Sequence, residues 1–141
     1  KFPKIKFTFI GKTNEFFKNQ LKNENTEFLG VVDDYESTLR KYSVLFAPYP
    51  SHAKYLGSKN KFLEAAACKM PIITTSSGAV DFRNDLLSIG NTTEKISNLI
   101  KYLMDENNRK DIGNKLRREI EEKYNAEIEV KKIVELYNEY E

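Results

Sequence analysis

The chain has 141 residues, of which 40% are apolar, 31% charged and 12% aromatic, and its formal net charge is +2. This composition is typical of one soluble globular domain and excludes a disordered chain. The apolar runs are the length of a strand, far short of the roughly 20 residues that a membrane-spanning helix needs.

Cysteine and histidine each occur once, as Cys68 and His52. A single thiol excludes an internal disulfide, and the two residues cannot supply the ligand set of a structural zinc site. We therefore expect no metal site, and a reducing, cytoplasmic setting fits best.

The first half of the chain is the more basic one. Residues 1–70 carry 12 Lys and Arg against 7 Asp and Glu, whereas residues 71–141 carry 11 against 14. This excess suits a small anionic ligand. A nucleic-acid partner is not predicted, because only 5 of the 23 basic residues are Arg and aromatic residues are not interleaved with them.

Strand-length and helix-length segments alternate from the start of the chain. We expect strands at 5–10, 26–32 and 44–47, a helix capped by Asn14 after the first strand, and a short helix that buries Leu39 before the third. Because these strands are almost continuously apolar, they predict a parallel sheet covered on both faces.

A loop of turn-forming residues, 48–60, follows the third strand. It lies at the kind of sheet edge where open α/β proteins bind ligands. A helix over 61–68 comes next, and Pro71 separates it from a strand at 72–75 and a polar loop at 76–78.

The remainder of the chain is predicted to be helical. Asn91 is a candidate cap with Glu94 three positions later, and apolar stripes mark three helices, at positions 96, 99, 100 and 103, at 112, 116 and 120, and at 126, 130, 133, 134 and 137. We interpret the charged run LRREIEEK (116–123) as a solvated helix face.

Two segments together resemble a known family, namely TEFLGVVDDYESTLRKYSVLFAPYP (26–50) and GSKNKFLEAAACKMPIITTSSG (57–78). They are similar to the C-terminal, donor-binding domain of group 1 glycosyltransferases, which have the GT-B fold. The matching features are a strand ending in FLG, a strand ending in a proline loop, a helix opening with KxxEA, a glycine or its equivalent, and a PII strand. Their order and spacing are more specific than any one of them.

The resemblance implies an α/β fold: a three-layer, Rossmann-like parallel sheet with C-terminal helices, one half of a GT-B fold. Residues 1–141 would form a single donor-nucleotide-binding domain. Because the chain begins Lys-Phe-Pro without an initiator Met, we expect a fragment. It would lack the N-terminal acceptor-binding domain and the first strand and helix of this one.

The implied substrate is a nucleoside diphosphate sugar, which the complete enzyme would transfer to an acceptor, usually with retention at the anomeric carbon. Fixed positive charges can neutralise the departing diphosphate, so neither a metal nor another cofactor is expected. No transmembrane segment is expected, and peripheral membrane association of the full protein is compatible with this function.

The resemblance assigns ligand contacts to one helix and the loops around it. Glu64 would accept hydrogen bonds from the ribose diol, and Lys61, three positions earlier on the same face, would contact the diphosphate. The alternative interpretations are that Glu64 is a solvated helix residue paired with a nearby Lys, and that Lys61 is an ordinary surface lysine. No catalytic side chain is assigned.

The loop residues Gly57, Ser58 and Lys59 would approach the sugar and phosphates at the start of this helix, and Gly78 would do so from the second loop. Gly57 is interpreted equally well as a loop glycine with no ligand contact. The family usually places a first carboxylate eight positions before the helix Glu, where this chain has Leu56.

That departure is the main support for an alternative function, a catalytically silent nucleotide-binding or assembly module. A GT-B type sugar epimerase, which shares this architecture, is a further alternative. Asp33, Asp34 and Tyr35 either border the base pocket or, for Asp34, cap the next helix. We interpret His52 as a surface loop residue and Cys68 as a small buried helix residue.

Overall fold

The computed structural model describes residues 2–55, 60–80, 82 and 84–139. The chain divides into two compact units, Lys1–Thr38 and Leu39–Glu141. The predicted α/β class, with parallel strands and C-terminal helices, is confirmed. None of the described helices is both long enough and apolar enough to cross a bilayer.

The first unit contains β1 (Phe7–Ile10), α1 (Glu15–Leu21) and β2 (Thr26–Gly30), and α2 (Tyr35–Leu39) begins in it. The Asn14 side chain accepts a hydrogen bond from the Phe16 N–H at 2.7 Å, so the predicted cap of α1 is confirmed. The Asp34 carboxylate accepts from the Ser37 N–H at 2.9 Å, which supports the capping alternative for Asp34.

Strands β1 and β2 form a two-stranded parallel sheet whose register shifts between Phe9 and Ile10. At the shift, Ile10 pairs with Gly30, the glycine of the FLG segment, whose φ is +71°. An L side chain rarely adopts this backbone conformation, so the irregularity explains the glycine. The Phe9 and Phe28 rings stack with centroids 4.8 Å apart.

The second unit contains a three-stranded parallel sheet of order β3 (Leu45–Ala47), β4 (Ile72–Thr74) and β5 (Ser88–Ile89). The central strand β4 is buried along its whole length, as expected for a strand covered on both faces. Strand β5 was not predicted, because a two-residue strand is too short to give a recognisable apolar pattern.

Helices complete this unit: α3 (Asn60–Ala67), α4 (Thr93–Tyr102), α5 (Glu106–Lys123) and α6 (Ala126–Asn138), with short 3-10 turns at Ser51–Tyr55 and Asn84–Leu86. The core lies between the sheet and helices α3 and α5. Its members are buried apolar residues of these elements and of the segments next to them, including Leu39, Phe62, Ala65, Ala66, Met70, Ile72, Leu87 and Leu116. The predicted stripe of α5 packs against this cluster.

The C-terminal end of α3 fits closely against α5. Lys69 has a φ of 56°, and hydrogen bonds from the Lys69 N–H to the Ala66 carbonyl (3.0 Å) and from the Met70 N–H to the Ala65 carbonyl (2.9 Å) close the helix in a Schellman motif. Lys69 therefore occupies a position that favours glycine. Gly113 of α5 approaches so closely that a Cβ there would collide with the Lys69 carbonyl oxygen.

Two predictions about the helices were wrong. Helix α4 is capped by Thr92, whose side chain accepts from the Lys95 N–H at 3.2 Å, whereas the Asn91 side chain accepts from the Ser76 N–H. The run at 116–123 is not a purely solvated face. Glu119 is only 4% exposed and pairs with Lys123 at 2.9 Å, because its helix face turns toward the protein.

Candidate functional site

The loops that leave the carboxyl ends of β3 and β4 are joined by one hydroxyl group. Thr75 Oγ1 donates to the Tyr49 carbonyl oxygen at 2.6 Å and accepts from the Tyr49 N–H at 3.2 Å. One residue earlier, Thr74 Oγ1 donates to the Ala47 carbonyl oxygen at 2.8 Å. The last residue of β3 and the loop after it are thus both held to the end of β4.

The loop after β5 is joined to the same region by Asn91. Its Oδ1 atom accepts from the Ser76 N–H at 2.9 Å and from the Ser76 hydroxyl at 3.1 Å. The Gly90 N–H also donates to the Thr74 carbonyl oxygen at 2.9 Å. All three loops at the carboxyl edge of this sheet are therefore linked by hydrogen bonds, so the edge is a defined polar surface.

Helix α3 brings the two main predicted side chains to an exposed position. Lys61 and Glu64 are both exposed, while Phe62, Ala65 and Ala66, on the other face of the helix, are fully buried. This division follows from the helical spacing, which places residues three apart on the same face. Burial of the apolar face fixes the helix, and the two charged groups consequently face solvent together.

The two side chains differ in their surroundings. The Lys61 ammonium lies over the Tyr49 ring, 5.4 Å from its centroid. Within the part of the chain that the structure describes, the Glu64 carboxylate makes no hydrogen bond or ion pair. Among the described residues, the alternative interpretation of Glu64 as a carboxylate paired with a nearby Lys is therefore not seen, and neither carboxylate oxygen is used as an acceptor there.

Packing explains why position 78 is a glycine, which the sequence did not reveal. It is buried, and a Cβ at this position would collide with Thr74 Oγ1 and lie 2.7 Å from Tyr49 Cδ2. Because these two groups fill the space, the residue must be glycine whether or not a ligand comes close. The predicted contact of Gly78 with a donor remains a prediction.

Four residues of the sequence hypothesis, Leu56, Gly57, Ser58 and Lys59, lie outside the described residues. The helix part of the predicted site can therefore be located, while its loop part stays as predicted from the sequence. Of the residues interpreted as structural, His52 is exposed, as expected, and Cys68 is half-buried.

A pocket of about 260 Å³ lies at the opposite, amino-terminal side of β3 and β4, where Ser43, Cys68 and Pro71 face the start of α5. Arg109 also lines it, but its guanidinium donates to the Leu103 and Met104 carbonyl oxygens, both at 2.8 Å, at the end of α4. This pocket contains none of the predicted ligand contacts, and we assign it no role.

Sequence reasoning missed three residues of the carboxyl edge: Tyr49, Thr75 and Asn91. A polar residue directly after a buried strand is the signal that could have identified Thr75. Asn91 follows a strand that was not predicted and was interpreted as a helix cap instead. Among the described side chains of His, Cys, Asp and Glu, no group of three or more is placed to hold a metal ion.

Comparison with known proteins identifies the family of the chain. Residues 1–106 match the family described as "Glycosyl transferases group 1". The match includes the three loops at the carboxyl edge and the helix that carries Lys61 and Glu64, and it covers most of the chain. No curated protein matches the chain.

Proposed function

Because the chain belongs to the group 1 glycosyltransferases, we propose that it is the donor-binding half of such an enzyme and binds a nucleoside diphosphate sugar. The binding surface would be the carboxyl edge of β3, β4 and β5. The observation that carries the proposal is the exposed pair on α3 beside loops tied together at this edge: a cation, and a carboxylate that makes no hydrogen bond or ion pair with the described residues.

The cation suits the diphosphate. When the anomeric bond breaks, negative charge builds up on the leaving diphosphate and must be neutralised. Lys61 supplies a full positive charge at the second residue of α3, where the partial positive charge of the helix dipole adds to it. In this proposal these fixed charges take the part that a metal ion takes in other enzymes.

The carboxylate suits the ribose. The two hydroxyls of a cis diol are both donors, and an ionised carboxylate offers an acceptor oxygen to each. Glu64 lies one turn further along α3 than Lys61, so one helix face would contact neighbouring parts of the same donor. Glu64 and Lys61 are binding residues in this account, and the acceptor-binding half of the enzyme would complete the reaction.

Two substitutions separate these roles in a binding assay that compares a nucleoside diphosphate with inorganic diphosphate. Glu64→Gln should weaken the nucleotide about tenfold and leave inorganic diphosphate unchanged, because only the nucleotide carries a ribose. Lys61→Ala should weaken both ligands about two- to fivefold and flatten the salt dependence, because it removes a charge contact. NMR chemical shifts during titration provide the affinities.

The matched controls are Glu106→Gln and Lys101→Ala, which change the same residue types at exposed positions near the opposite, amino-terminal side of the sheet, at the start of α5 and the end of α4. Both should bind like the unaltered chain. Equal losses of the two ligands in both α3 variants would refute the division of roles. A chain that shows no shift changes at millimolar nucleotide would refute donor binding itself and leave the silent assembly module as the better account.

A further inference from the structure

Tyr49 has no role in the function proposed so far, yet its backbone is held firmly. It lies shortly after β3, in the proline loop, where its N–H and carbonyl groups both bond to the Thr75 hydroxyl at 3.2 and 2.6 Å. A loop residue fixed at both of its backbone polar groups has little freedom to move. The direction of its side chain is therefore constrained from the start.

The Tyr49 ring is fixed as well. It meets the buried Phe62 ring edge to face, with centroids 6.1 Å apart, and its Cδ2 atom fills the space where Gly78 has no side chain. Edge-to-face contact is a favourable arrangement for two aromatic rings. Core residues on two sides thus hold the plane of the ring.

The ring also contacts the cation of the proposed donor site. Lys61 Nζ lies 5.4 Å from the ring centroid, within the range in which an ammonium group is attracted to an aromatic face. A lysine side chain has a flexible four-carbon stem, and an exposed one samples many conformations. Contact with a fixed ring restricts the ammonium to fewer of them.

We propose that Tyr49 is a positioning residue that holds the Lys61 ammonium where the donor diphosphate binds, an inference that rests on the proposed function. Restricting a charged group before binding lowers the entropy lost when the ligand arrives. Tyr49 acts through Lys61, so its contribution should appear for every ligand that carries the diphosphate and should require the ring face but not the hydroxyl group.

The test compares Tyr49→Phe, which keeps the ring, with Tyr49→Leu, which removes it, using inorganic diphosphate as the probe. Tyr49→Phe should bind like the unaltered chain. Tyr49→Leu should bind about two- to fivefold more weakly, the fold-change expected for an exposed cation–π contact. Tyr102→Leu, which removes a half-exposed tyrosine from α4, is the control and should have no effect.

A spectroscopic readout separates positioning from general loss of structure. Protons held over an aromatic ring are shifted upfield, so the Lys61 ε-methylene protons should be shifted in the unaltered chain and in Tyr49→Phe. The shift should disappear in Tyr49→Leu. If the Leu variant does not fold, Tyr49→Met, which keeps apolar bulk beside Gly78 without a ring, replaces it with the same expected results.

The outcomes distinguish this inference from the function on which it rests. If the unaltered chain binds diphosphate and the ring-less variant binds equally well, Tyr49 has no positioning role although the proposed function stands. Loss of affinity in Tyr49→Phe equal to that in the ring-less variant would also overturn the inference. If the unaltered chain does not bind inorganic diphosphate at millimolar concentration, the positioning role fails, and the proposed function fails with it only if a nucleoside diphosphate does not bind either.

Discussion

Helices α3 and α6 have apolar residues at similar helical spacing, yet only α3 is covered. Phe62, Ala65 and Ala66 of α3 are completely buried, whereas α6 has no buried residue among those described. On α6, Val130 is 57% exposed and Tyr137 is 74% exposed. An apolar stripe therefore predicts that a helix forms and which face is apolar, but not that this face is buried within the same chain.

The largest expected difference is between two truncations to Ala, one in each helix. Phe62→Ala should lower the free energy of unfolding by about 3–5 kcal/mol, because it leaves a cavity among core residues. Ile133→Ala on α6 should change it by less than about 0.5 kcal/mol, since this side chain is half exposed. Urea denaturation gives both values, and similar losses in the two variants would show that the α6 stripe is covered in solution.

A smaller effect is expected where α5 meets the end of α3. Gly113→Ala should destabilise the chain by about 1–3 kcal/mol, because the added methyl group collides with the Lys69 carbonyl oxygen. In an uncovered helix the same change would stabilise, since Ala is the better helix former. Asn114→Ala, at an exposed neighbouring position, is the control. Stabilisation by Gly113→Ala would mean that the two elements are further apart.

The end of α3 also predicts a stabilising change. Lys69→Gly should raise the free energy of unfolding by about 0.5–1 kcal/mol, because glycine adopts the positive φ of this position without steric cost. Lys69→Ala keeps the Cβ and should give no such gain. Thermal unfolding of the two variants side by side measures the difference, and an equal midpoint for both would contradict the left-handed helix end.

The smallest effect concerns an exposed pair at the start of α5. The Lys110 ammonium, which hydrogen-bonds to and attracts the Glu106 carboxylate at 2.7 Å, lowers the pKa of that carboxyl from its usual value of 4.5. A lowered pKa in the folded state adds stability above the usual pKa, and this is lost as the pH falls through the folded value. Because the pair is exposed, the contribution is small.

Lys110→Gln should therefore raise the pKa of Glu106 toward 4.5, which an NMR titration of its side-chain carboxyl would detect. Lys115→Gln is the control, because Lys115 pairs with Asp111 instead, at 2.7 Å. A Glu106 pKa that stays unchanged after loss of Lys110 would show that this ion pair does not persist in solution.

Local patterns predicted most of the helices and strands. The cap of α1 at Asn14 and the core stripe of α5 were both read correctly, because neighbouring residues decide them. The cap of α4 was placed one residue early. Asn91 and Thr92 are both good capping residues, and the choice depends on Ser76, a hydrogen-bond partner from a distant loop.

In the candidate site, too, neighbouring residues decide some features and residues distant in sequence decide others. Helical spacing was enough to put Lys61 and Glu64 on one exposed face. The contact between Lys61 and Tyr49, and the bonds between Tyr49 and Thr75, join residues from different elements. No periodicity in a single sequence specifies such pairs, because they arise only when parallel strands bring their carboxyl ends to one edge.

The close approach of Gly113 to Lys69 also bears on how this protein can change over evolutionary time. Any residue other than glycine at position 113 must be accompanied by a shift of the helix end at position 69. We expect glycine at 113 to be retained in descendants that keep this helix end, while position 69 itself varies among residues that tolerate a positive φ. The residue at position 113 would thus limit which residues evolution can place at position 69.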